Sequence, residues 1–229
     1  MFILSNPHRR FGILEYHEMK SLALIASLTI GSLALADLTD PAVPTWRGDS
    51  GSLYYQWDSF SEPFAAPNFP TTPPFDFSAQ VFNFVGGAQI VDGGIFSPGG
   101  LNVHVYGEGR PTAAAVLNVT YTSFDPSPTS VEFFIGDFGP GGAGEYFDSV
   151  SSERTYSQFI GDGLFRVTDA FTFDVADYVG DGMFWASFFK IDGPNTLEGV
   201  SIDVQSVIPA PGALALLGLA GLAGRRRRD

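Results

Sequence analysis

Few residues in this chain are equipped for chemistry. Cysteine is absent, and the 229 residues include three histidines, at positions 8, 17 and 104. Thiolate nucleophiles and thiolate metal sites are thereby excluded. His104 is the one imidazole in the central part of the chain, so a zinc site built on two histidines is excluded there, and a Ser-His-Asp triad would have to use it. It falls on the polar side of an alternating run, where a solvated imidazole is the ordinary occupant. Carboxylates need no such partner, because glycoside hydrolysis requires only two acids facing each other across a groove. Glu132, in Val-Glu-Phe-Phe, is the acid best placed between hydrophobic residues, with an outward, solvated side chain as the plain alternative. Asp162, Asp181 and Asp192 stand in Gly-flanked turns that offer carboxylate and backbone oxygens together, the ligands Ca²⁺ prefers. None follows the EF-hand spacing, and Asp-Gly is also a common hairpin turn.

Aromatic side chains could stack on sugar faces if exposed. Trp46, Trp57 and Trp185, with Tyr54, Tyr55 and Tyr106, are the candidates, and filling a core is the competing use. Arg47-Gly48-Asp49 spells an adhesion tripeptide, and Asn118-Val119-Thr120 a glycosylation sequon; both read more simply as coincidence. Glycine is abundant, yet no Walker loop, dinucleotide fingerprint or G-x-S-x-G elbow occurs.

The elements that must carry these residues are strands. Leu101, Val103 and Val105 alternate with Asn102 and His104, and Leu117, Val119 and Tyr121 with Asn118 and Thr120. Phe171, Phe173 and Val175 alternate with Thr172 and Asp174, and Val200, Ile202 and Val204 with Ser201 and Asp203. Period two predicts one dry and one wet face for each. Asp92-Gly93-Gly94, Pro98-Gly99-Gly100, Gly161-Asp162-Gly163 and Asp192-Gly193-Pro194 punctuate the runs. Ala113 to Ala115 could open a helix, but β-branched and aromatic residues follow at once. Residues Pro63 to Pro74 lack any period and predict an extended surface loop. The expected fold is all-β: an antiparallel two-sheet β-sandwich, jelly-roll-like, over residues 37–206.

Both ends differ from this body. Met19-Lys20, the apolar run Leu22 to Leu35 and the small-residue pair Ala34 and Ala36 form a signal peptide with cleavage before Asp37. Residues 1–36 are therefore the leader region. Met1 to Glu18 do not fit it, so translation is expected to start at Met19, with an extended n-region as the alternative. At the other end, residues 207–229 bring Pro209 and Pro211, then Gly212 to Gly224 built only of Gly, Ala and Leu, then Arg225 to Arg228. As a helix that stretch of thirteen residues spans about 20 Å, short of a hydrocarbon core of roughly 30 Å. It has no polar face, and its arginines would stay on the cytoplasmic side. Between the two ends lie five Lys and Arg against twenty-two Asp and Glu, a net charge of −17. Nucleic acid and anionic lipid are poor partners for such a body; divalent cations and neutral glycans are compatible with it.

The tail resembles the PEP-CTERM sorting signal of exported bacterial proteins. Pro209 and Pro211 match the two prolines, Leu214 to Leu222 the apolar helix, and Arg225, Arg226, Arg227 and Arg228 the basic end; Ala210 stands where the usual pattern has Glu. Trp46-Arg47-Gly48 and Tyr54-Tyr55-Gln56-Trp57 also resemble the opening of exported sandwich domains with this tail. The resemblance implies an exosortase-type membrane enzyme as processing partner and at least transient residence in the cytoplasmic membrane. It covers about a tenth of the chain. The expected product is an exported, envelope- or matrix-associated sandwich without enzymatic activity, structural, adhesive or associated with extracellular polysaccharide. The alternative is a polysaccharide-active hydrolase or lyase using paired carboxylates. No catalytic or metal-ligating residue is assigned and no cofactor is required, with Ca²⁺ left open.

Overall fold

The computed structural model describes residues 37–71, 78–108, 111–126, 128–137, 143–180 and 182–206. The leader with Ala34 and Ala36, the sorting residues Pro209 to Arg228 with their apolar helix, and Asp181 lie outside the described residues. Within them every regular element is a strand: β1 (Ser52–Trp57), β2 (Ala79–Asn83), β3 (Gln89–Val91), β4 (Gly94–Ser97), β5 (Leu101–Glu108), β6 (Thr112–Ser123), β7 (Pro128–Gly136), β8 (Gly144–Asp148), β9 (Ser151–Gly161), β10 (Leu164–Asp174), β11 (Phe184–Ile191) and β12 (Asn195–Ser206). The helix considered at Ala113 is part of β6.

Two antiparallel sheets result. The first runs β3-β4-β12-β6-β10-β9, with β1 beside the far half of β12, and the second runs β2-β5-β11-β7-β8. The ladders nest: β1 pairs with β12, β5 with β11, β6 with β10 and β7 with β8. A long chain doubled back on itself in this way and wrapped into two layers is the jelly-roll arrangement, and it puts the first strand beside the last.

Residue types explain why the layers close. Leu117, Val119, Tyr121, Val200, Ile202, Val204 and Phe173 point in from the first sheet, and Val103, Val105, Phe133, Ile135, Trp185 and Phe189 from the second; all are buried. Gly107 is required by this packing. A Cβ there would stand 2.0 Å from the Trp185 ring, so the indole lies flat on bare backbone. Hairpin turns follow sequence too. Asp92-Gly93 and Asp162-Gly163 each form a two-residue loop with both φ angles positive, from 50° to 82°, as a type I′ turn demands. Residues 63–71, the described part of the predicted loop, carry no named strand, although they are pinned: Asn68 is buried, its carbonyl accepts from Trp57 Nε1 at 3.0 Å, and its side chain accepts from the amides of Ser61 and Glu62.

The wet face predicted for β6 and β12 is not wet. Asn118, Thr120, Ser201 and Asp203 have no exposed surface, because residues 37–47 run across them as a strap. Thr39 N–H donates to Thr120 Oγ1 (3.1 Å) and Ala42 N–H to Asn118 Oδ1 (2.8 Å), while Asn118 Nδ2 donates back to Ala42 O (3.2 Å). Gly199 leaves room for Leu38, whose backbone nitrogen would be 2.9 Å from a Cβ there. Polar side chains thus hold an extended peptide by its main chain, and period two alone could not anticipate the cover.

Candidate functional site

Among the described residues, no such strap crosses the opposite outer face, on the second sheet. Register places its outward residues in rows across the strands. One row reads Phe82, His104, Phe188, Glu132 and Asp148; the next reads Gln80, Tyr106, Ala186, Phe134 and Tyr146. Beyond these, Asn102 pairs with Lys190 on one side, and Glu108, Phe184, Gly136 and Gly144 line up on the other. Phe84 follows β2, its N–H donating to Asn102 O at 2.9 Å.

The rings form one connected surface. Phe84 and His104 have centroids 4.6 Å apart, His104 and Phe188 4.7 Å, Phe82 and Tyr106 5.6 Å, and Tyr106 and Phe184 5.7 Å. Phe134 meets Tyr146 at 4.9 Å and Phe184 at 6.0 Å, and Tyr146 meets Phe188 at 6.1 Å. Tyr146 is 62% and Phe84 43% exposed, which is why the face cannot be counted as core. Small residues set the relief. Ala186 is fully buried between Tyr106 and Phe134, and the Phe134 ring lies over Gly136 and Gly144, where a Cβ would come within 2.6 and 2.2 Å of it.

At one end of this surface a recess of about 300 Å³ is lined by Asn102, His104, Glu132, Tyr146, Phe188, Phe189 and Lys190. His104 Nδ1 and the Tyr106 hydroxyl are 2.7 Å apart. Burial, then the Lys190 ammonium, hold the His104 imidazole below its ordinary value, so it is neutral at neutral pH. Burial also pushes the Tyr106 phenol up, with the Tyr146 hydroxyl adding to it. Among the described residues, Arg47 pairs with Asp203, Arg154 with Asp169 and Arg166 with Glu198, whereas Lys190 makes no ion pair.

The structure sorts the predicted site residues clearly. His104 and Glu132 come together at the recess, His104 half-buried among rings instead of solvated, and Glu132 outward and exposed. Glu132 and Asp148 are register partners on that face, an acid pair the sequence alone did not reveal. Trp57, Trp185 and Tyr55 are core residues, so their proposed sugar contact is withdrawn. Tyr106 is on the open face; Tyr54 and Trp46 are half-buried elsewhere, Tyr54 beneath the Arg47 guanidinium at 4.0 Å. Arg47 is consumed by its bidentate grip on Asp203, so the Arg-Gly-Asp tripeptide presents no free guanidinium. Asn118 is buried and bonded to Ala42 and Ser201, so it accepts no glycan in the folded chain. Asp162 and Asp192 occupy separate turns, and no cluster of three acid or histidine side chains able to hold a metal occurs among the described residues.

The rings at Phe82, Phe84, Phe134, Tyr146, Phe184 and Phe188 went unpredicted, although a signal existed. Phe133-Phe134, Phe184-Trp185 and Phe188-Phe189 are aromatic doublets inside strands. Adjacent strand residues point to opposite faces, so each doublet must put one ring outside.

No family model matches the chain, and no curated protein matches it. Among solved structures it is similar to the tripod from the baseplate of bacteriophage Tuc2009, at 13% identity over 90% of this chain and 99% of that one, TM-score 0.24. It is also similar to the carbohydrate recognition domain of Emp47p (10% identity, 65% and 98% covered, TM-score 0.29) and to TmCBM27, a carbohydrate-binding module that recognises mannan (12% identity, 75% and 98% covered, TM-score 0.29). Likenesses at this distance carry no argument about what the chain binds.

Proposed function

We propose that this chain is an exported, non-catalytic β-sandwich that associates with extracellular polysaccharide through the open face of its second sheet. The carrying observation is the continuous layer of rings from Phe84 to Tyr146 on a surface that faces solvent. Contiguous apolar surface rimmed by polar groups marks a place where something binds. The register rows just described contain no Leu, Ile, Val or Met, only rings, small residues and hydrogen-bonding groups. Sugar rings offer the matching surface: C–H groups on a face that stacks on an aromatic ring, and hydroxyls at the perimeter for Asn102, Glu132 and Lys190. Delivery belongs to the same reading, with a leader ending at Ala36 and a tail, Pro209 to Arg228, processed by an exosortase-type enzyme.

Affinity electrophoresis of the purified chain through gels containing neutral polysaccharides tests the binding. Retardation by at least one polymer, lost in the double variant Phe188→Ala/Tyr146→Ala, supports it; equal retardation of the variant rejects it. Delivery is tested by neutralising Arg225 to Arg228, which should change both processed size and cell fraction.

A hydrolytic reading has one observation in its favour, the Glu132–Asp148 pair. Cross-strand partners hold their Cβ atoms about 4.5–5.5 Å apart, so their carboxyls can reach the roughly 5–5.5 Å of retaining glycosidases. Both side chains are exposed, however, whereas an acid kept protonated for catalysis is withdrawn from water. Release of reducing ends that disappears in Glu132→Gln would favour hydrolysis over binding.

A further inference from the structure

The recess carries a second piece of information, the sign of charge it tolerates. Glu132 on β7 is the register partner of Phe188, and Lys190 on β11 stands in the next outward row, yet no ion pair joins the two charges. An ammonium offers only donors and a carboxylate only acceptors. Three of the body's few cations are locked to acids on the first sheet, whereas this lysine and this glutamate, unjoined, both line the recess of about 300 Å³ together with Phe188, Tyr146 and His104. That volume sits at the small end of ligand pockets, enough for one or two sugar residues.

We propose that this recess selects an uncharged pyranose, taking one hydroxyl as donor to Glu132 and a neighbouring hydroxyl as acceptor from Lys190, with the ring stacked on Phe188. The inference rests on the glycan-binding reading above and specifies its ligand class. Charged sugars are disfavoured from both sides. A uronate would face Glu132 with Asp148 beside it, in a chain whose central body is strongly anionic. A glucosamine ammonium would face Lys190. Neutral His104 adds no charge, and Asn102, Tyr106 and Tyr146 are uncharged hydrogen-bonding groups. A neutral polyol satisfies donor and acceptor at once, and each hydrogen bond polarises the next.

The experiment compares the purified chain against three polymers of matched length: a neutral glucan or mannan, polygalacturonate, and deacetylated glucosamine polymer. Retention by the neutral polymer, little changed between about 0.05 and 0.5 M salt, is expected, because no charge pairing drives it. Glu132→Gln and Lys190→Met, both changes of exposed side chains, should each weaken it by about tenfold, the usual cost of a hydrogen bond to a charged group. Their selectivity should diverge: Glu132→Gln gains polygalacturonate, and Lys190→Met gains the glucosamine polymer. Wild-type preference for either charged polymer, or identical selectivity in both variants, overturns the inference while leaving glycan binding intact. Failure of wild type to bind any polymer on the wider panel removes the glycan reading and this inference with it.

Discussion

Arg47 closes on both carboxylate oxygens of Asp203, with Nε to Oδ1 and Nη2 to Oδ2 each 2.6 Å, so the strap is riveted to β12 156 positions away in sequence. The carboxylate has no exposed surface, and the guanidinium also stacks on Tyr54. Removing one partner leaves a buried charge, so Arg47→Ala should cost about 3–5 kcal/mol in urea unfolding. A double variant that replaces both with apolar residues of similar volume should recover most of that loss.

The same pair sets a pH dependence. Burial pushes the Asp203 carboxyl above its ordinary value, against the opposing pull of Arg47. A carboxyl raised in the folded state favours folding when protonated. Its contribution is complete below the unfolded value near 3.8 and is lost as pH rises through the folded one. Without Arg47 the opposing pull disappears and the folded value climbs further. The deficit of Arg47→Ala should therefore shrink as the solution is acidified, which stability curves taken from pH 7 down to pH 4 will check.

His104 behaves in the opposite sense. Burial and Lys190 lower its value in the folded chain, so the unfolded chain takes up a proton first. Stability from this group is level above roughly pH 6.5 and falls as pH drops from there to the lower folded midpoint. It is the one imidazole between Asp37 and Ser206, so its ring resonances titrate without overlap from that region. A midpoint below 6.5 is expected, moving upward in Lys190→Met.

Gly107→Ala tests the packing under the aromatic face. The added methyl would enter the Trp185 ring at 2.0 Å, and that ring is locked in the core between Phe133 and Tyr55. Overpacking of this kind should cost about 1–3 kcal/mol by chemical denaturation.

Gly199→Val tests the strap alone. Its side chain would displace Leu38, and the amides of Thr39 and Ala42, held by Thr120 and Asn118, should lose hydrogen-exchange protection while the amides of β5 and β11 keep theirs.

Sheet architecture was legible because alternation is local: Leu117-Asn118-Val119 and Val200-Ser201-Ile202 each state which side is dry. Asp-Gly pairs likewise declared their hairpins. What alternation could not state was which polar side meets water. Asn118 and Ser201 look like solvent residues until the strap, some 76 positions upstream of Asn118, is laid over them. The aromatic face was missed for a related reason. The aromatic candidates were drawn from Trp and Tyr alone, while the phenylalanine doublets at 133–134 and 188–189 required half of their rings to be outside. Tryptophan drew attention by its size, and Trp57 and Trp185 proved to be the largest of the fully buried side chains among the described residues.

The strap closes the outer side of β6 and β12 with the chain's own residues. On the glycan-binding reading proposed above, one copy would engage polymer by its aromatic side alone, lying along a strand without bridging two. Cross-linking would then need copies joined back to back or tethered together, and a lone molecule would coat its polymer without gelling it.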